Sequence, residues 1–235
     1  GRFPKPVAME VPGVWEQIRP GYDGAGWYRR TVNVKDAWMG KALRLRFGAV
    51  MYYCEAWLNG QYLGNHEGGG SAFEFDVSKV VVPGENDLVV RVINPPINEE
   101  LDGFRAGAPL NQGKLPVGKA GWYYNYGGLW QDVDLIVTDP VYVDNVYIKP
   151  FPSRRRAQVN VTIVNTGKPT TQQLTVAVAP DGQAKAVLTA TRKVKLGRGE
   201  TIVSVPMTFA ASGKNAMRWW SPDDPFLYRA TATLD

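Results

Sequence analysis

One stretch, Trp57-Leu58-Asn59-Gly60-Gln61-Tyr62-Leu63-Gly64, constrains the fold more than any other. Asn-Gly tolerates the positive φ angles of a two-residue turn, and here it separates two runs of alternating apolar residues. The pair therefore predicts a tight β-hairpin. His66-Glu67 and a glycine triplet, Gly68-Gly69-Gly70, follow. The period of two then recurs along the chain. Leu43, Leu45 and Phe47 alternate with Arg44 and Arg46; Phe73, Phe75 and Val77 with Glu74 and Asp76; Val159, Val161 and Ile163 with Gln158, Asn160 and Thr162; Leu174, Val176 and Val178 with Thr175 and Ala177. Such alternation marks strands with one face on a core and one toward solvent. Pro83-Gly84, Thr166-Gly167, Asp181-Gly182 and Gly197 to Gly199 mark further turns. No helix-period segment exceeds about two turns. The chain is expected to be all-β, with two stacked β-sandwiches.

Composition narrows the functional classes. At 44% hydrophobic residues the chain has ample material for packed cores and is not a disordered one. No run approaches the ~18 apolar residues of a membrane-spanning helix, so no membrane partner is expected. A single cysteine, Cys54, excludes an intrachain disulfide and, in its apolar strand, reads as an inert core residue. One cysteine and one histidine, His66, argue against a structural zinc site, and no metal or other cofactor is expected. Residues 1–140 carry 14 Lys+Arg against 16 Asp+Glu, and residues 141–235 carry 13 against 6. The basic residues of the second part sit at turns, as in Arg154-Arg155-Arg156. They come with no nucleic-acid motif, so a solvated surface or an acidic neighbouring domain is the expected reading, not a nucleic acid.

The charge balance and strand series change near Thr138-Asp139-Pro140, giving expected domains of 1–139 and 140–235. Residues 94–128 do not read as strand. They hold Pro95, Pro96, Pro109, Pro116 and seven glycines. Connections longer than ~15 residues are uncommon in compact domains and are usually functional or disordered. This one ends in Trp122-Tyr123-Tyr124-Asn125-Tyr126, an aromatic run that would be wasteful in a disordered linker.

Trp57-Leu58-Asn59-Gly60, His66-Glu67-Gly68-Gly69 and Phe73 to Val77 together resemble the N-terminal sugar-binding domain of glycoside hydrolase family 2, the β-galactosidase and β-glucuronidase family. Further segments match in family order. They are Val11-Pro12-Gly13-Val14-Trp15-Glu16, Gly26-Trp27-Tyr28-Arg29-Arg30, Pro83-Gly84-Glu85-Asn86, Asn125 to Val133, and Pro222 to Tyr228. The resemblance implies a galactose-binding-like jelly roll followed by an immunoglobulin-like sandwich. It also implies a (β/α)8 barrel next in the parent protein, as a C-terminal partner domain. Carbohydrate, as a β-glycoside, is then the ligand of the parent enzyme. The compartment stays open, with a periplasmic or extracellular location slightly favoured over a cytoplasmic one, and homo-oligomerisation stays open too.

Retaining glycosidases need two carboxyl groups about 5 Å apart. The family takes both from its barrel, and a barrel needs about 250 residues. No catalytic residue is therefore expected on this chain, which by itself should be inactive. Its expected role is to position a barrel and line part of its pocket. The resemblance points to Trp122, Tyr123, Tyr124, Asn125 and Tyr126 as the pocket-lining element. Trp122 occupies the position of an aspartate that in the family contacts the terminal sugar. An indole offers one N–H donor and a flat apolar face, so it suits stacking on a sugar ring. Packing of Trp122 beneath its own loop is the alternative. The other tryptophans Trp15, Trp27, Trp57 and Trp130 read as core or inter-sheet packing, and at least one of Trp219 and Trp220 as a contact to the barrel. His66 reads as a local hydrogen-bonding group. A freestanding carbohydrate-binding module and a structural or adhesion sandwich protein are the rival functions, since fold alone does not decide function.

Overall fold

The structure, a computed structural model, describes residues 5–22, 24–94, 126–213 and 216–235. The chain falls into two compact units that divide between Val137 and Thr138. The first is built from β1 (Gly24–Val34), β2 (Ala42–Phe47), β3 (Tyr53–Leu58), β4 (Gln61–Glu67), β5 (Phe73–Asp76), β6 (Gly84–Asn94) and β7 (Val133–Thr138). The second contains β8 (Val141–Phe151), β9 (Arg156–Asn165), β10 (Thr170–Pro180), β11 (Leu188–Leu196), β12 (Gly199–Thr208) and β13 (Tyr228–Leu234). Helix among the described residues is limited to single 3-10 turns, at Trp15–Gln17, Asp36–Trp38 and Pro152–Arg154.

In the first unit an antiparallel sheet of order β1-β6-β3-β4 packs on a sheet of order β5-β2-β7. The alternating residues supply the core. Leu43, Leu45 and Phe47 of β2 meet Cys54 and Ala56 of β3, Val90 and Val92 of β6, and Val34 of β1. Phe47 stacks on Phe73 at 4.9 Å and 7° and meets Phe75 edge-on. Cys54 is fully buried here, and burial pushes its thiol up to about 12. In the second unit sheets of order β11-β10-β13 and β12-β9-β8 enclose Val159, Val161, Ile163, Leu174, Val176 and Val205. Alternation thus locates both cores.

The two best turn signals prove to be one structure. Asn59 and Gly60 take φ of 53° and 77°, the positive values expected of the hairpin. The Asn59 amide then donates to Asn86 Oδ1 (2.8 Å) and to the Val80 carbonyl (3.1 Å), while its oxygen accepts from the Asp87 N–H (2.9 Å). Asn86 is 1% exposed. Its oxygen also accepts from the Val82 N–H, and its amide donates to the carbonyls of Val82 and Gly84. A buried amide needs nearly all of its donors and acceptors met. Here the start of β6 and the β3–β4 turn meet them for each other.

One packing expectation fails. Trp15 is core at 5% exposed, but Trp27 is 58% exposed. The alternation of β1 explains the difference. Gly26 takes the inward position, where an added Cβ would stand 2.5 Å from Trp15 Cζ3, so the inward space belongs to the Trp15 ring. Trp27, one residue on, points to the outer face. Trp57 is half-buried and lies beside it there, their rings 5.7 Å apart. Trp130 is half-buried at the end of the sheet with Met51, Tyr52, Tyr53 and Ile93. Trp219 and Trp220 of the second unit are 50% and 59% exposed.

Candidate functional site

Trp122, Tyr123, Tyr124 and Asn125 lie outside the described residues; Tyr126 does not. The segment from Tyr126 to Trp130 is the root from which that aromatic run departs. It is tied on both sides. The Gly13 N–H donates to the Leu129 carbonyl (2.8 Å) and the Trp15 N–H to the Gly127 carbonyl (3.0 Å). Gly128 and Met51 exchange two backbone bonds, both 3.0 Å. The Gly127 N–H donates to the Glu16 carboxylate at 3.0 Å, across 111 residues of sequence. Two glycines are needed because the surroundings leave no space. A Cβ at 127 would overlap Cε2 and Cζ2 of Trp15, and one at 128 would stand 2.7 Å from the Tyr28 hydroxyl. Gly128 also has φ +122°, which side-chain-bearing residues rarely adopt.

Around this root the side chains are aromatic and polar together. Tyr126 meets Trp130 edge-on at 5.8 Å. The Trp130 indole donates to the Gly69 carbonyl (2.8 Å), which docks the glycine triplet against it. The Tyr52 hydroxyl donates to Glu67 at 3.3 Å. Burial first, and then the Glu67 carboxylate, push the Tyr52 phenol above its ordinary value. Beneath the root, burial and, less strongly, the Glu16 carboxylate push the Tyr28 phenol up to about 12, against a lowering from the Leu129 backbone. Both phenols are therefore neutral hydrogen-bonding groups at physiological pH. Beside Trp130 lies an open concavity of about 370 Å³, lined by Arg46, Gly70, Asp132 and Asp134 among others. Among the described residues no three His, Cys, Asp or Glu side chains are grouped to hold a metal ion.

His66 sits on β4 opposite Cys54. Its ring stacks on Phe73 at 4.1 Å and shares a 3.2 Å hydrogen bond with the Ser71 hydroxyl, the local role expected of it. Burial lowers its pKa from the ordinary 6.5, opposed by Gly68 and Glu67. The unfolded chain therefore binds a proton at this site more readily than the folded one. Stability from this group is complete above pH 6.5 and is lost as the pH falls from there through the lowered value. Urea titrations between pH 7 and pH 5 should show a decline that is shallower in His66→Gln; an equal decline in both proteins would refute the assignment.

The sequence gives no warning of Glu16 as an anchor, nor of Tyr52 and Glu67 as neighbours of the root. Only the twofold spacing of the outward β4 residues hints at Glu67.

A family description reading "Glycosyl hydrolases family 2, sugar binding domain" matches residues 5–140, and one reading "Glycosyl hydrolases family 2" matches residues 141–235. A β-glucuronidase of Bacteroides fragilis is 29% identical over 90% of this chain and 29% of its own length. The β-galactosidase large subunit of Leuconostoc lactis is 27% identical over 92% of this chain and 31% of its own length. The crystal structure of a Bacteroides uniformis β-glucuronidase superposes with a TM-score of 0.77 at 23% identity, covering 97% of this chain and 27% of that one. That likeness is one of fold. The chain thus spans less than a third of the length of these relatives. With both descriptions matched in family order, the chain belongs to glycosyl hydrolase family 2.

Proposed function

We propose that this chain is the non-catalytic N-terminal region of a retaining β-glycosidase. In that role residues 1–139 and 140–235 form its two domains, hold a (β/α)8 barrel in position, and line one side of its sugar pocket with Trp122 to Tyr126. The observation that carries the reading is the double anchoring of Tyr126 to Leu129. A loop that feels for a sugar needs a root that does not give way, and here backbone bonds to Gly13, Trp15 and Met51 supply one. The neutral phenol of Tyr52, bonded to Glu67 beside the root, fits a pocket edge that offers hydrogen bonds. Exposed Trp219 and Trp220 fit a second contact to the barrel.

The test has two arms. The isolated chain should release no chromophore from any nitrophenyl β-glycoside; turnover that disappears on mutating an acid within this chain would overturn the reading. In the parent enzyme, Trp122→Ala should reduce turnover about fivefold, the equivalent of one aromatic stacking contact of ~1 kcal/mol. Its unfolding temperature should be unchanged. A lowered unfolding temperature with full activity would assign Trp122 to packing.

A further inference from the structure

The last peptide before the aromatic run is held by a side chain. Of the bonds that tie down the root, the one from the Gly127 N–H to the Glu16 carboxylate (3.0 Å) lies nearest to the run. That N–H belongs to the peptide joining Tyr126 to Gly127. A peptide is planar, so fixing the direction of its N–H also fixes the Tyr126 carbonyl and Cα. Gly127 has no Cβ because the Trp15 indole leaves no room for one. The same lack leaves the peptide plane free to turn unless something holds it.

Glu16 is placed to hold it. Trp15 and Glu16, neighbours in one 3-10 turn, grip Gly127 at both ends: the Trp15 N–H donates to its carbonyl, and the Glu16 carboxylate accepts from its N–H. The turn is itself pinned by the buried Trp15 ring. The second carboxylate oxygen of Glu16, Oε2, is closed off from solvent, and among the described residues nothing hydrogen-bonds to it. A charged oxygen shut away from water needs a donor. The donor at hand is Tyr28. Its hydroxyl is also closed off, and it is near enough to feel the Glu16 charge. Burial pushes the phenol up to about 12, so it keeps a proton to donate, directly or through one water.

We propose that Glu16, with the Tyr28 hydroxyl as its second donor, is a positioning residue of the parent enzyme that aims the Tyr126–Gly127 peptide, and with it Tyr126, at the sugar. Glu16 itself touches no substrate. That role rests on the reading that Tyr126 lines the pocket. Displacing a group that binds away from the reacting bond weakens substrate and transition state alike, so it raises KM. Losing folded enzyme instead lowers kcat at an unchanged KM.

The test is steady-state kinetics of the parent enzyme on the nitrophenyl β-glycoside it turns over fastest, well below its unfolding temperature. Glu16→Ala should raise KM about three- to tenfold, what one displaced aromatic contact is worth, with kcat nearly unchanged. Glu16→Asp keeps the charge but falls short of Gly127; it should raise KM as well, and serves where the alanine variant does not fold. Glu16→Gln keeps an acceptor for the Gly127 N–H and should restore KM. Tyr28→Phe should show part of the rise and add none in the Glu16→Ala background. A fall in kcat at the wild-type KM would reduce Glu16 to fold stability and overturn the proposal. So would a Glu16→Gln enzyme as impaired as Glu16→Ala, which would make the charge itself the active feature. Full additivity of Tyr28→Phe and Glu16→Ala would overturn the pairing. If Trp122→Ala or Tyr126→Ala impairs the enzyme and Glu16→Ala does not, the pocket reading stands and the role of Glu16 falls. If neither Trp122→Ala nor Tyr126→Ala has an effect, the pocket reading fails and takes this role with it.

Discussion

Gly127→Ala is expected to destabilise the first unit at the upper end of the ~1–3 kcal/mol that overpacking costs. The new methyl would overlap the Trp15 indole. That ring is poorly placed to yield. Its N–H is held by the Tyr22 carbonyl at 2.8 Å, Tyr22 meets it edge-on at 5.4 Å, and it already fills the space at Gly26. Trp15→Ala should itself cost ~3–5 kcal/mol, as large aromatic deletions in cores do. The decisive result is the double variant. With the indole gone, the methyl at 127 enters empty space, so Gly127→Ala should cost almost nothing in the Trp15→Ala background. The coupling should then recover most of the single-variant penalty. Additive costs would mean that the glycine serves backbone conformation alone.

Cys54 should be the slowest-reacting thiol a reagent could find, and the change on unfolding should be very large. The side chain is 0% exposed, and burial pushes its thiol up to about 12, so neither access nor thiolate is available in the folded protein. Labelling should then follow the open population, with protection on the order of 10³ to 10⁸ relative to the unfolded chain. Because Cys54 is the chain's one cysteine and belongs to the first core, the same labelling rate measures the stability of that unit alone. It is therefore the readout to use for the Gly127 and Trp15 variants. Fast alkylation at neutral pH without loss of structure would contradict the burial.

How far the sequence reaches depends on the range of the interaction. Strands and turns are legible because alternation and Asn59-Gly60 act between near neighbours. Which face of β1 is inward is not, because Gly26-Trp27-Tyr28 offers no preference until the ring of Trp15 claims the space at Gly26. An indole at the alternate position is apolar in either case, and hydrophobicity alone sends it inward. Glu16 is illegible for a similar reason. Its carboxylate is a cap for a backbone N–H 111 residues away, and no local pattern records that. In the candidate site, Tyr126 stands at the anchored root as the sequence leads one to expect of a packed loop end, whereas Trp122 to Asn125 lie outside the described residues. The His66 role is legible because its partners, Ser71 and Phe73, are close in sequence.

The Asn59–Asn86 tie has an evolutionary consequence. Slipping β3 against β6 by one residue would turn every side chain to the wrong face. The tie forbids that slip from one end of the sheet, where β3 finishes and β6 begins. The opposite end, where Tyr53 pairs with Ile93, is where the long 94–128 connection starts out. Outside its anchored end at Gly127 and Gly128, changes of length there do not touch the Asn59–Asn86 tie, and lengthening a connection costs little entropy. A lineage built on this scaffold can rewrite the sequence between residues 95 and 125 many times over while inheriting the same sandwich. For an engineer, residues 95–125 are the place to graft, and Asn59 and Asn86 are the pair to leave alone.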